Sequence, residues 1–408
     1  MEAYDMFLKE EDFQLRELLR EFTNNEIMPV RQQIDDDHDH KIVDRILEGF
    51  VSLGLYRAIF PEDLEGSDMT SAVSICLAVD EVARGDAGIS AALGCTMWPW
   101  LPAIWHGNRA VINKFGPDFC GDELKVGCFN MTEAGGPRGG GGCDIENVSF
   151  KGSKINTIAK QEGDQWVING QKLWASNSGI ADLYLMVCTT DPKAGSDGVA
   201  LIYVPKDTPG LSFGKFENKA GMQADRNCAT FMDNVRVPLE WRAAGPGKDA
   251  ELFHRCLTIG RLASAAMSVG SMQGIFERVV EYTGERVVAN KPIRQHSIAA
   301  GMLADMAISL ETARTYYLAA AHMFDNPDKY GPASSINTLS RASIAKVYAA
   351  DMAVIMANKA MELMGSYGYV RDYDVEKYWR DNKEIQLWEG GAQLGRFDVC
   401  RGYYDLNL

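Results

Sequence analysis

Four stretches of the 408-residue chain combine side chains that could act on a small molecule. They are Phe129-Asn-Met-Thr-Glu133, Asn169-Gly-Gln-Lys-Leu-Trp-Ala-Ser-Asn177 and Arg286-Val-Val-Ala-Asn-Lys-Pro-Ile293, then Gly365-Ser-Tyr-Gly-Tyr-Val-Arg-Asp-Tyr373 with Gln386-Leu-Trp-Glu-Gly-Gly-Ala-Gln393 beyond it. A guanidinium can grip phosphate oxygens in pairs, and a carboxylate in a dry site becomes a better base. Taken singly, each stretch reads equally well as a turn, a helix end or a loop. Other chemistries have weaker support. Ala134-Gly-Gly-Pro-Arg-Gly-Gly-Gly-Gly-Cys143 lacks the Lys-Ser/Thr of a phosphate loop and the spacing of a dinucleotide fingerprint, so a flexible exposed loop is expected. Asp35-Asp-Asp-His-Asp-His40 matches no zinc or calcium spacing and is expected to be a solvated acidic helix end, so no metal is expected. His106, His254, His296 and His322 are isolated, which leaves a histidine triad little support. Nine scattered cysteines without a C-x-x-C suggest free thiols in a reducing compartment.

The elements that must position these residues fall into three zones. Up to about Phe115 apolar residues recur at helical spacing, as in Phe13, Leu18, Leu19 and Phe22. From Lys125 to about Pro238, short runs rich in Val, Ile, Tyr and Phe alternate with turn clusters such as Asn169-Gly170, which predicts an antiparallel sandwich or barrel. Beyond Asp249 three long helical segments are predicted, Glu251–Ala289, Ser297–Phe324 and Ser334–Met364, as in an antiparallel bundle. The reading is an α+β multi-domain chain: N-terminal helical domain 1–126, middle antiparallel β domain 127–243, C-terminal four-helix bundle 244–408. A formal net charge of -15 argues against nucleic-acid binding. No apolar run is long enough to span a membrane, and the N-terminus carries no signal or transit pattern, so a cytoplasmic protein is expected.

In this order and in these zones, the four pieces resemble the acyl-CoA dehydrogenase family, from about Phe13 to Arg401. The resemblance implies FAD held between the β domain and the bundle, an acyl-CoA substrate, an electron-transfer flavoprotein as electron acceptor, and a homo-oligomer, expected to be a tetramer. Phe129, Met131 and Thr132 fall where the family contacts the isoalloxazine ring. Trp174 falls where an aromatic packs on the flavin, and Ser176 stands where the family usually has Thr. Arg286 matches the arginine that meets the FAD pyrophosphate of an adjacent subunit. Ser297, Glu362, Gly365, Ser366, Gly391 and Gln393 occupy further cofactor-contact positions. Glu389 aligns with the catalytic base. The alternative position for a base, immediately before Arg261, is Gly260. Met97, Arg261, Trp388 and Gly390 are assigned to the substrate side.

This chain departs from the family pattern at several points. Gly391 replaces a Thr, Ala289 and Asn290 replace Phe-Gly, and Ser297 replaces a Gln. Glu362 and Ser366 stand in for the Gln and the second Gly of Gln-x-x-Gly-Gly. Ser90 occupies the position of the arginine found in glutaryl-type decarboxylating members. Met97, Trp98, Trp100 and Trp105 should shorten any acyl tunnel they face, while Gly390-Gly391 frees volume beside the thioester. The expected substrate is therefore a compact, branched, alicyclic, aryl or dicarboxylic acyl-CoA. Two alternatives stand beside this reading: a decarboxylating or oxidase-type relative, and a catalytically idle acyl-CoA- or flavin-binding protein.

Overall fold

A computed structural model describes residues 4–135 and 155–404, apart from the side chain of residue 392. The Gly-rich stretch from Gly136 onward, with Arg138 and Cys143, for which an exposed loop is expected from sequence, lies outside the described residues. The N-terminal zone folds as α1 (Glu10–Phe22), α2 (Arg31–Ile34), α3 (Lys41–Ser52), α4 (Ala72–Gly85), α5 (Ala87–Met97), α6 (Leu101–His106) and α7 (Arg109–Cys120). α4 is buried around its whole circumference, and α5 nearly so. Their N-terminal amides are therefore capped by protein rather than water. The Asp86 carboxylate accepts from Ile89 N at 2.9 Å. Asp325, from the far end of the chain, accepts from Ala72 N at 2.7 Å and Val73 N at 3.1 Å.

The middle zone holds β1 (Gly127–Asn130), β2 (Ile158–Glu162), β3 (Gln165–Ser176), β4 (Leu183–Thr189), β5 (Val199–Pro205), β6 (Leu211–Phe216) and β7 (Asn227–Pro238). They form one seven-stranded sheet in the order β1-β4-β2-β3-β7-β6, with β5 on the other side of β4. Pairing is mostly antiparallel, as expected, but β1 runs parallel to β4 with Phe129 opposite Leu185. β2 follows β1 along the same edge of β4, meeting it at Ile158 and Thr189. The long β3–β7 ladder slips register between Lys172 and Ala175. Bulges of this kind re-aim side chains. Here Trp174 takes a left-handed φ of 57° and its indole stands 59% exposed.

The C-terminal zone is α8 (Lys248–Glu285), a hairpin of β8 (Val287–Val288) and β9 (Lys291–Pro292), α9 (Ser297–Asp325), α10 (Pro327–Tyr330), α11 (Ile336–Met364), α12 (Val375–Leu387) and α13 (Gly391–Arg401). The first long helix ends at Glu285, four residues before the expected Ala289. Ala289 and Asn290 have φ of 46° and 66°, which makes them turn residues of the hairpin. α8 is the axis of the molecule: Leu257 joins the core shared with the N-terminal and β zones, and Leu262 joins the core of the bundle.

Buried charge locks the first zone to the bundle. Lys377 Nζ lies 2.8 Å from Asp35, 2.9 Å from Asp86 and 3.0 Å from Asp381. Arg31, also buried, pairs with Asp374 and stacks 3.7 Å above the Tyr378 ring. The acidic run expected to be solvated is therefore partly structural. Asp35 is buried in this lock, and Asp37 caps α3 by accepting from Ile42 N at 2.8 Å. No cluster of metal-binding side chains occurs among the described residues, and each of their eight cysteines is free. No helix among the described residues is long and apolar enough to cross a membrane.

Candidate active site

A cavity of about 140 Å³ opens where α4, α5, β1, β3 and α8 converge on the α12–α13 turn. Its floor is apolar, with Ile75, Val79, Met97 and Ile259. Phe129, Met131 and Thr132 from β1 and its exit, and Trp174 and Ser176 from β3, form one wall. Trp388 and Glu389 form another. These residues are remote in sequence. β1 and β3 converge partly through a buried ion pair in which Lys172 Nζ sits 2.9 Å from Glu133 Oε1 and 3.0 Å from the Met131 carbonyl.

Glu389 stands on a sharp turn between α12 and α13. It has φ of 51°, and Gly390 and Gly391 follow at 79° and 62°. A side chain at either glycine would be strained there. Lys346 Nζ, buried in α11, donates to the carbonyls of Gln386 at 3.2 Å and Trp388 at 2.8 Å, which fixes the turn from behind. The Trp388–Glu389 peptide is trans, since the described chain has no cis bond. The Glu389 N–H therefore points away from Lys346.

The Glu389 carboxylate is buried, and Oε2 has no hydrogen-bond partner. Burial pushes its pKa up, and the positive charges of Arg261 and Lys346 recover only part of that shift. Desolvation of this kind yields a stronger base. Gly260 is the reason the carboxylate fits. A Cβ there would lie 2.7 Å from Trp98 Cζ2 and 3.2 Å from Glu389 Oε2. Trp98 occupies the space that Gly260 leaves. It stacks on Phe129 at 4.5 Å between ring centres and donates from Nε1 to the Cys256 carbonyl at 3.2 Å.

Of the residues picked from sequence, the structure brings Glu389, Trp388, Met97, Phe129, Met131, Thr132, Trp174 and Ser176 to the cavity wall. Arg261 is not on that wall. It is fully buried behind the base, 4.0 Å from Glu389 and 3.1 Å from Asp398. Gly390 and Gly391 shape the turn, and Gln393 is exposed on α13. Arg286, Ser297, Glu362, Gly365 and Ser366 are exposed around the far end of α8, where Arg286 stacks 5.7 Å above the Tyr367 ring. Of the three tryptophans read together, Trp98 lines the cavity and Trp100 is core. Trp105 packs under Arg255 at 3.8 Å. Ser90 donates to the Val79 carbonyl at 2.7 Å, inside the helical core and off the cavity wall. Sequence reasoning missed Lys346, Asp225 and Asp398. Asp225 is buried and accepts from the Ser176 hydroxyl at 2.9 Å.

The wall formed by β1 and β3 fits a flat aromatic cofactor. An exposed indole held by a left-handed residue stands beside two hydroxyl side chains at an apolar opening. Fold and site together define an enzyme with a desolvated carboxylate set opposite a platform for a planar group.

Comparison with known proteins is consistent with this. Residues 9–123, 128–235 and 250–403 match the acyl-CoA dehydrogenase N-terminal, middle and C-terminal domains. The chain belongs to the acyl-CoA dehydrogenase family, whose members are flavin-dependent oxidoreductases. It is 30% identical to cyclohexane-1-carbonyl-CoA dehydrogenase of Syntrophus aciditrophicus, over 95% of each chain. It is 31% identical to cyclohex-1-ene-1-carbonyl-CoA dehydrogenase of the same organism, over 97% of this chain and 90% of the relative. The solved butyryl-CoA dehydrogenase of Megasphaera elsdenii superposes with a TM-score of 0.84 at 29% identity, covering 97% of this chain and 98% of that one.

Proposed function

We propose that the protein catalyses FAD-dependent α,β-dehydrogenation of a compact acyl-CoA thioester to the enoyl-CoA, with an alicyclic acyl group favoured. The observation that carries this reading is the buried carboxylate of Glu389 on the cavity wall, whose Oε2 has no hydrogen-bond partner. Glu389 takes the α-proton of the bound thioester. Its own N–H, turned away from Lys346, donates to the thioester carbonyl and makes that proton more acidic, in the manner of an oxyanion hole. Met97, Trp98 and Ile259 exclude water and hold the acyl group against the β1–β3 wall. The flavin, when bound, supplies the acceptor for hydride from the β-carbon. Phe129, Met131, Thr132, Trp174 and Ser176 would hold its ring, and the Asp225 carboxylate orients the Ser176 hydroxyl.

The compact substrate follows from Trp98, which fills the cavity above Gly260 where a straight chain would otherwise extend. Two relatives named for six-membered-ring acyl-CoA substrates support the alicyclic choice. An electron-transfer flavoprotein as acceptor and a cytoplasmic location complete the proposal. Arg286 lies on the same axis as Gly260 but 26 residues beyond it, about 39 Å along the helix. One bound dinucleotide does not reach both ends. Arg286, Glu362 and Ser366 are therefore proposed to contact FAD held mainly by another subunit, in a dimer or larger homo-oligomer, with a tetramer expected. The test is flavin bleaching by a panel of butyryl-, octanoyl-, palmitoyl-, cyclohexyl- and aryl-substituted acyl-CoA thioesters. The cyclic and short substrates should bleach fastest. A clear preference for octanoyl- or palmitoyl-CoA contradicts the shape argument, and a colourless protein contradicts the activity.

A further inference from the structure

Behind the base, two buried carboxylates share one guanidinium. Arg261, fully buried on α8, places Nη2 3.1 Å from Asp398 Oδ2 and Nε 4.0 Å from Glu389 Oε2. Its Nη1 donates to the Ser343 hydroxyl at 3.2 Å. Asp398 sits on α13 with no exposed surface, and its other oxygen lies 3.4 Å from Arg401. α13 comes this close because residue 395 is glycine. A Cβ there would lie 3.2 Å from Arg261 Nη1 and 2.6 Å from Val347 Cγ2. The guanidinium is thus held by Asp398 and Ser343 on the side away from the cavity, with only its Nε directed at the base.

We propose that Asp398 is a positioning residue that claims the Arg261 guanidinium and so leaves the Glu389 carboxylate free to act as a base. An arginine beside a carboxylate lowers the carboxylate's pKa by about 1–3 units. In a buried site that would weaken the base just where a proton must be removed. Asp398 stands nearer to Arg261 than Glu389 does and so offsets much of the guanidinium's charge on the side of the base; Arg261 recovers only part of the shift, and burial dominates at Glu389. The other groups facing Glu389 are Lys346 on α11, whose ammonium is engaged by two carbonyls, and the Cys95 and Cys256 thiols on α5 and α8, which burial keeps protonated.

This inference rests on Glu389 being the base. The experiment compares pH profiles of kcat for the purified flavin-loaded enzyme and its Asp398→Asn variant. The acid limb should move down by about one pH unit, because Arg261 then acts on Glu389 uncancelled. Asp398→Glu, which keeps the charge, should restore the wild-type limb. An unmoved limb in Asp398→Asn overturns the proposal, including when thermal stability falls, since that is what a purely structural ion pair predicts. If Asp398→Asn does not fold, the double variant Arg261→Gln/Asp398→Asn removes both buried charges together. Its limb should stay within about half a unit of wild type, and a rise of about one unit or more overturns the proposal. If wild type fails to turn over, or Glu389→Gln turns over normally, the parent reading falls. If both behave as that reading requires but the limb of Asp398→Asn stays put, only this inference falls.

Discussion

Replacing Gly260 with alanine tests whether the absence of a side chain opposite the base is functional. The new Cβ would stand 2.7 Å from Trp98 Cζ2, 3.0 Å from Trp98 Cη2 and 3.2 Å from Glu389 Oε2. Trp98 has little room to yield, because it stacks on Phe129 and its indole N–H is held by the Cys256 carbonyl. Overpacking of this kind costs about 1–3 kcal/mol. Alanine in mid-helix returns up to ~1 kcal/mol relative to glycine. The net loss of stability is thus ~0–3 kcal/mol, and the variant should fold. Activity should suffer more than stability. A displacement of about 1 Å in a catalytic group costs ~10²-fold, so a shift of a few tenths at Glu389 should lower kcat by roughly 3- to 10-fold. Rapid-mixing measurement of flavin bleaching isolates this step from product release, and thermal melting checks the fold. A variant with unchanged bleaching and unchanged melting would show that the cavity tolerates a side chain here, refuting the packing argument.

Two further outcomes follow from the same geometry. Burial pushes the Glu133 carboxyl up, but Lys172 and hydrogen bonds from Asn156 and Thr157 outweigh it and hold its pKa down at about 2. The stability this contributes is fully present above the ordinary carboxylate value of 4.5 and is lost as pH falls toward 2, so wild type should weaken across that window. Glu133→Gln, which strands Lys172, should cost ~3–5 kcal/mol and flatten the pH dependence of melting in the same window. Arg286→Ala should weaken FAD reconstitution of the apoprotein by about 10-fold or more, through loss of charge-assisted phosphate bonds, and light scattering should find the loaded wild type to be at least a dimer. A fully loaded, active monomer would contradict that assembly.

The three-zone fold was legible because each zone carries its own periodicity, and the long helices were placed to within a few residues at most boundaries. The parallel β1–β4 pair was not legible, because alternation along a strand is the same for either direction of its partner. The motif-bearing residues of the cavity wall were found because type and order identify them. What escaped was whatever depends on a partner remote in sequence. Asp35 reads as one of four acids in a hydrophilic run, and only the fold brings Lys377 to it. Asp398 lies nine residues after Glu389 on the short helix α13, and nothing in that spacing marks it as the partner of Arg261. Gly260 is the instructive middle case. Its position before Arg261 is plain in the sequence, but its contact with Trp98, which links the choice of base to the shape of the cavity, exists only in the fold.

The central claim is that Glu389 removes the α-proton. The direct measurement is the single-turnover rate of flavin bleaching by a compact acyl-CoA in Glu389→Gln, alongside titration of its binding to that substrate. Binding should persist, because the amide is isosteric and the surrounding wall is unchanged. The bleaching rate should fall by about 10²–10⁴-fold or more, the range a positioned general base contributes. A Glu389→Gln enzyme that binds the thioester and bleaches at close to the wild-type rate would contradict the account.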